Sequence, residues 1–147
     1  MLPPIIVALA AAGALLAGPA QAQTDAEVYE QVERVQGDAE GFAEAFTALT
    51  EAMFHGDAEA VANLADYPLI VRANSHVYEL LSPEDFVENF DDLVMGETQA
   101  LIAAQELSGL IITSEGVGFG RGELWIASIC NDERCAETHW AITVIQN

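Results

Sequence analysis

Apolar residues recur along the first third of the chain at alternating steps of four and three: Val28, Val32, Val35, Ala39, Phe42, Phe46, Leu49 and Met53. That spacing draws one continuous stripe along a helix. Thr24-Asp25-Ala26-Glu27 has the form of a capping box at its start. Gly37-Asp38 interrupts the stripe, so a kink or short break is expected there, with Asp38 to Phe54 as the firmer helix. His55-Gly56 ends it, and Asp57 caps a short helix from Ala58 to Ala65. Tyr67-Pro68 stops that helix, because a proline ring disfavours the α conformation in the residue before it.

The pattern then shortens. Leu69 to Ala73 and His76 to Leu80 read as two strands joined at Asn74-Ser75. Ser82-Pro83-Glu84-Asp85 starts another helix, with a capping serine, a proline in the first turn and acids at the positive end of the dipole. Phe86, Phe90, Leu93 and Val94 supply its buried face, and Glu97 to Glu106 forms a further short helix. Four strand-like segments close the chain: Leu110 to Thr113, Val117 to Gly120, Glu123 to Ile129 and Thr138 to Gln146. The fold class expected from this order is α+β, with N-terminal helices packed on a curved antiparallel sheet. No repeat, low-complexity tract or linker marks a second domain, so residues 23–147 are read as one.

Residues 1–22 follow a different pattern. Met1 to Ala17 is almost unbroken in its apolar character and ends at Gly18-Pro19. It is shorter than the ~20 apolar residues a spanning helix needs. Ala20 and Ala22 supply the small residues of a signal-peptidase site, so a Sec-type signal peptide cleaved after Ala22 is expected. Its n-region lacks the usual Lys or Arg. The expected location is periplasmic or secreted. An exported chain meets an oxidising compartment, and there Cys130 and Cys135, the only cysteines, read as a disulfide stapling a hairpin end. Such a short loop is worth about 2 kcal/mol.

Charge narrows the partners. The chain holds 24 acidic residues against four arginines and no lysine, a formal net charge of −20. Such a surface repels phosphate backbones and anionic headgroups, so neither nucleic acid nor, after cleavage, a membrane is an expected partner. Solubility in a salty habitat and capture of a basic protein partner both fit the acidity.

Four stretches carry a family resemblance. Gly56-Asp57-Ala58-Glu59-Ala60 leads into Asp66-Tyr67-Pro68-Leu69 and then Ser82-Pro83-Glu84-Asp85-Phe86. The fourth is Glu115-Gly116-Val117-Gly118-Phe119-Gly120-Arg121-Gly122-Glu123-Leu124-Trp125-Ile126. Together they resemble small exported bacterial proteins of the NTF2-like superfamily (cystatin-like α+β roll), over roughly Phe42 to Ile145. The resemblance implies a sheet wrapped as a cone over the helices, an apolar pocket for a small apolar ligand, and dimerisation through the sheet. It spans isomerases, dehydratases, cyclases and binding modules, and fold alone does not choose between them.

The candidate residues follow. His139 alternates with Trp140 on the last strand; if His139, Ala141 and Thr143 line the concave face, His139 is placed as a general base or ligand donor. Asp66 and Tyr67 stand where superfamily enzymes place an acid or tyrosine at a pocket mouth. His139, Asp66 and Tyr67 are therefore the catalytic candidates, each with a structural alternative as a surface, turn or packing residue. Arg72 is a candidate to meet an anionic ligand or to pair with an acid inside the domain. Trp125 and Trp140, near each other if the disulfide hairpin pairs in simple register, wall a pocket or fill the core.

Several signatures are absent. The glycines at 116, 118, 120 and 122 do not form G-x-G-x-x-G and lead into a strand, so they mark bends or close packing. His55, His76 and His139 lack metal-ligand spacing, no serine sits in a G-x-S-x-G elbow, and no metal or cofactor is implied. The expected function is an exported small-ligand-binding or accessory module without catalysis. The first alternative is an acid–base enzyme of the isomerase or dehydratase kind. The second is an acidic inhibitor of a basic secreted enzyme such as lysozyme, although Ser108-Gly109 runs into Leu110-Ile111-Ile112 and lacks the Ser-Gly-x-x-Tyr loop of one such inhibitor family.

Overall fold

A computed structural model describes residues 23–147; the expected leader and its cleavage site lie outside that range. Thr24 caps α1 (Asp25–Val35) through a reciprocal capping box with Glu27, satisfying two otherwise unpaired helix-end donors. The expected break falls at Gly37 and Asp38, both left-handed. Asp38 then caps α2 (Ala39–His55), which ends on a left-handed Gly56. Asp57 caps α3 (Ala58–Asn63).

The first strand starts earlier than its pattern suggests. β1 spans Ala65–Ala73 and carries Pro68 within it, after a cis Tyr67–Pro68 peptide. The ladder tolerates that proline because its pairing with the last strand is interrupted between Ala65 and Ile70, where no hydrogen bond is asked of residue 68. Asn74 and Ser75, both at positive φ, turn the chain into β2 (His76–Leu80). The helix begun by Ser82 is divided at Asn89 into α4 (Pro83–Glu88) and α5 (Phe90–Leu93), yet Phe86, Phe90, Leu93 and Val94 are all buried as expected. Then come α6 (Gly96–Ala103), a 3-10 turn (Leu107–Gly109), β3 (Ile111–Thr113), β4 (Gly116–Phe119), β5 (Leu124–Cys130) and β6 (Thr138–Gln146).

The result is an α+β fold with helices packed on one six-stranded sheet of order β2-β1-β6-β5-β4-β3. The sheet is mixed rather than wholly antiparallel: β1 and β6 run parallel, with Val71 beside Ile145. The cause is the connection. The chain leaves β2 through three helices and re-enters at the opposite edge, a crossover that a tight hairpin cannot make, and β6 returns to the centre in the direction of β1.

The core lies between helices and sheet. Phe42 is fully buried, with the rings of Tyr29, Phe46 and Trp140 around it, and Phe46 stacks on Phe119 at 5.7 Å. Burying one such side chain stabilises the fold by about 1.5–3 kcal/mol. A bulge opposite Trp125 and Ile126 leaves Thr143 unpaired, so Trp140, Ile142 and Ile145 all contribute to the helix side of β6.

Gly118 shows why the alternating glycines are there. A Cβ on it would stand 2.9 Å from Cζ2 of Trp125, whose ring lies across the strand. Gly118→Ala is expected to cost about 1–3 kcal/mol in chemical denaturation and to shift tryptophan emission, because the indole must lift to make room.

Candidate functional site

Parallel pairing lays the start of β1 along the first half of β6, with Ala65 opposite Ile142, and each strand carries a polar residue in second place: Asp66 and His139. His139 Nε2 lies 2.9 and 2.8 Å from the two carboxylate oxygens of Asp66. The other ring nitrogen, Nδ1, is hydrogen-bonded to the side chain of Asn131. Asn131 follows Cys130, and the Cys130–Cys135 disulfide closes the turn that carries it. Because Ile129 pairs with His139, Asn131 two residues on points to the same side of the sheet.

That side is the one away from the helices. Trp140 packs on Phe42 and donates its indole N–H to the Asp38 carbonyl on α2, so its neighbour His139 faces outward. The expectation that His139, Ala141 and Thr143 line the helix-side face is corrected by this register: Trp140, Ile142 and Ile145 occupy it. The His139 and Asp66 side chains are 43% and 49% exposed, and an ion pair so wetted is worth about 0–1 kcal/mol.

The chemistry open to His139 is limited by its partners. A general base must present one nitrogen to the proton it removes while the other is oriented by the protein. Nδ1 faces the Asn131 amide oxygen and Nε2 the Asp66 carboxylate, both acceptors, so the ring that satisfies both contacts is the imidazolium, donating to Asp66 and Asn131 together. In that form neither nitrogen is spare.

Tyr67 is also committed. It projects to the helix side and its hydroxyl donates to the Ala62 carbonyl of α3 at 2.8 Å. Burial pushes its pKa up to about 12, with Glu84 adding to the rise. The structure thus joins Asp66 to His139 and sends Tyr67 to the opposite face.

Arg72, on the outer side of β1, reaches the Gln146 amide oxygen at 3.4 Å, and among the described residues it meets no carboxylate. Trp125 and Trp140 are not neighbours: Trp125 pairs with Val144 and Trp140 with Ser128, and the two rings lie on opposite faces. Simple register itself separates them: Trp140 sits opposite Ser128, and Trp125, three residues from Ser128 along β5, faces the other side.

Among the described residues, the void under the sheet lined by Leu49, Leu64, Ile126 and Trp140 is about 10 Å³. One water already needs about 10–15 Å³. Larger spaces open at the surface. Trp125, Thr143, Val144 and Glu115 line a shallow space of about 280 Å³ on the outer sheet face. Glu59, Glu84 and Glu88 edge a groove of about 410 Å³ between α3 and α4. A third groove, about 570 Å³, runs between α2 and α6 past Phe54.

Among the described residues no group of three or more His, Cys, Asp or Glu is placed to hold a metal ion, and no helix is long and apolar enough to cross a membrane. Sequence reasoning missed Asn131 and Phe54. A signal for Asn131 was its place one residue past a cysteine, on the strand face of His139. Phe54 breaks the step of the buried stripe, falling one residue after Met53.

Tyr67 yields a pH prediction. A phenol whose folded pKa lies above the unfolded value of 10.0 favours the fold below pH 10, and that contribution fades as pH rises through about 12. Absorbance titration should show one late-ionising phenol that Tyr67→Phe removes, while the same variant loses about 1–2 kcal/mol at neutral pH.

Comparison with protein-family models, with curated proteins and with solved structures finds no match for this chain.

Proposed function

We propose that residues 23–147 act as an exported, periplasmic or secreted, accessory module of the NTF2-like kind, one that binds a partner at its surface without catalysis. The observation that carries this reading is the commitment of both His139 ring nitrogens, one to Asp66 and one to Asn131. A residue so held works as a latch between two strands and a turn. The tight packing around Leu49 and Trp140 supports surface binding rather than enclosure of a small apolar molecule. Helices laid on one face of a sheet support the superfamily resemblance, and the Cys130–Cys135 bridge supports export. One observation favours the acid–base enzyme as a second reading: an acid and a histidine stand in hydrogen-bond contact.

The two readings separate on substitution. Native mass spectrometry of the mature protein from its source is expected to show a retained partner, and His139→Gln is expected to leave its occupancy unchanged. The same variant should lower stability by no more than about 1 kcal/mol. Loss of the partner from folded His139→Gln protein would favour the enzyme. A mass with nothing retained, at protein concentrations well above micromolar, would count against binding altogether.

A further inference from the structure

From α2 to the end of β4 the chain is one-sided in charge. Between Val35 and Gly120 the only lysine or arginine is Arg72, and it stands on the sheet. The helices α2 to α6 therefore present carboxylates with no fixed cation among them. Within this field lies a patch with no charge at all. Met53, Phe54, Gly96, Gln99, Ala100 and Ala103 line the groove of about 570 Å³ between α2 and α6.

Phe54 is the most exposed large apolar side chain described, at 74%, and nothing in the fold calls for it to be there. Its ring meets that of His55 edge-on at 5.1 Å, which gives it a definite orientation. Opposite it, Gly96, Ala100 and Ala104 recur at steps of four along α6, so small side chains keep that wall low. Gln99 is tethered to the Val94 carbonyl at 2.8 Å and cannot swing across to cover the ring. Around the patch, Glu51 stands three residues before Phe54, Asp57 three after, and Glu97 adjoins Gly96; all are exposed.

We infer that this groove is the docking site for a cationic amphipathic helix, one that seats a Leu or Phe side chain beside Phe54 and sets Lys or Arg against Glu51, Asp57 and Glu97. The proposal rests on the surface-binding reading and gives that binding a place and a partner chemistry. The volume falls within the roughly 300–1,000 Å³ of ordinary binding clefts. An apolar centre ringed by charge is the anatomy of a protein interface, and a trough between two helices is a seat for a third. Charge selects the occupant. A second copy of a chain carrying −20 is repelled, as is an anionic bilayer, whereas a basic helix is drawn in.

A fluorescent synthetic peptide with Leu at helical spacing and Lys elsewhere serves as the probe, with a Leu/Gln peptide and an all-Lys peptide as controls. Titrated into the mature chain, the Leu/Lys peptide is expected to bind and become helical, and the controls at least about tenfold more weakly. Phe54→Ser and Ala100→Arg, both at exposed positions, should each weaken binding by about tenfold or more. Val77→Ser, which removes a side chain 65% exposed on β2, should leave it unchanged. Glu97→Gln should weaken binding at low salt and flatten its salt dependence.

Equal binding of the Leu/Lys and all-Lys peptides, indifferent to Phe54→Ser, would overturn the groove and leave a diffuse electrostatic surface. Absence of binding by the Leu/Lys peptide would overturn the partner chemistry. In either case a partner retained in native mass spectrometry keeps the wider binding reading, whereas absence of both removes the two together.

Discussion

Strand β6 is the element on which the molecule turns. It is the sixth of the described strands in chain order and lies inside the sheet, parallel to β1 on one side and antiparallel to β5 on the other. Its helix-side residues Trp140, Ile142 and Ile145 close the core against α2, and its outer face carries His139. Without β6, the β1–β2 hairpin and the β3–β5 meander have no common partner. Parallel pairing has a second effect: it lays the start of β1 along the first half of β6, far away in sequence, and so puts Asp66 within side-chain reach of His139. An antiparallel neighbour would have set the start of β1 against the end of β6.

Much of this architecture was legible in the amino-acid pattern. The four-three stripe, the cap residues Thr24, Asp57 and Ser82, and the Asn74-Ser75 turn are local signals, and each marks its element within a residue or two. What the pattern could not supply is long-range pairing. Whether β6 meets β1 parallel depends on which edge the chain returns to after α6, and no local propensity encodes that choice. The bulge at Thr143 is of the same long-range kind: one extra residue shifts the register and brings Ile145 to the helix side along with Trp140 and Ile142.

The site was legible in its members and illegible in its arrangement. His139, Asp66 and Tyr67 were singled out by residue type and position, yet their grouping follows from strand faces. Asp66 and His139 share the outer face, while Tyr67, one residue along, turns inward to Ala62. The void of about 10 Å³ beneath the sheet is a matter of packing, set by the sizes of Leu49, Trp140 and their neighbours once they meet. A composition rich in apolar residues says that a core exists; only coordinates say how completely it is filled.

The disulfide-closed turn has an influence well beyond its own six residues. Asn131 is held near His139 by a covalent tether, and His139 in turn grips the start of β1. The oxidation state of one sulfur pair thus reaches a carboxylate on a strand formed some sixty residues earlier in the chain. Protein made where thiols stay reduced would have to assemble that three-residue string from a floppy loop, and material from such a source would differ in how firmly its first strand is moored.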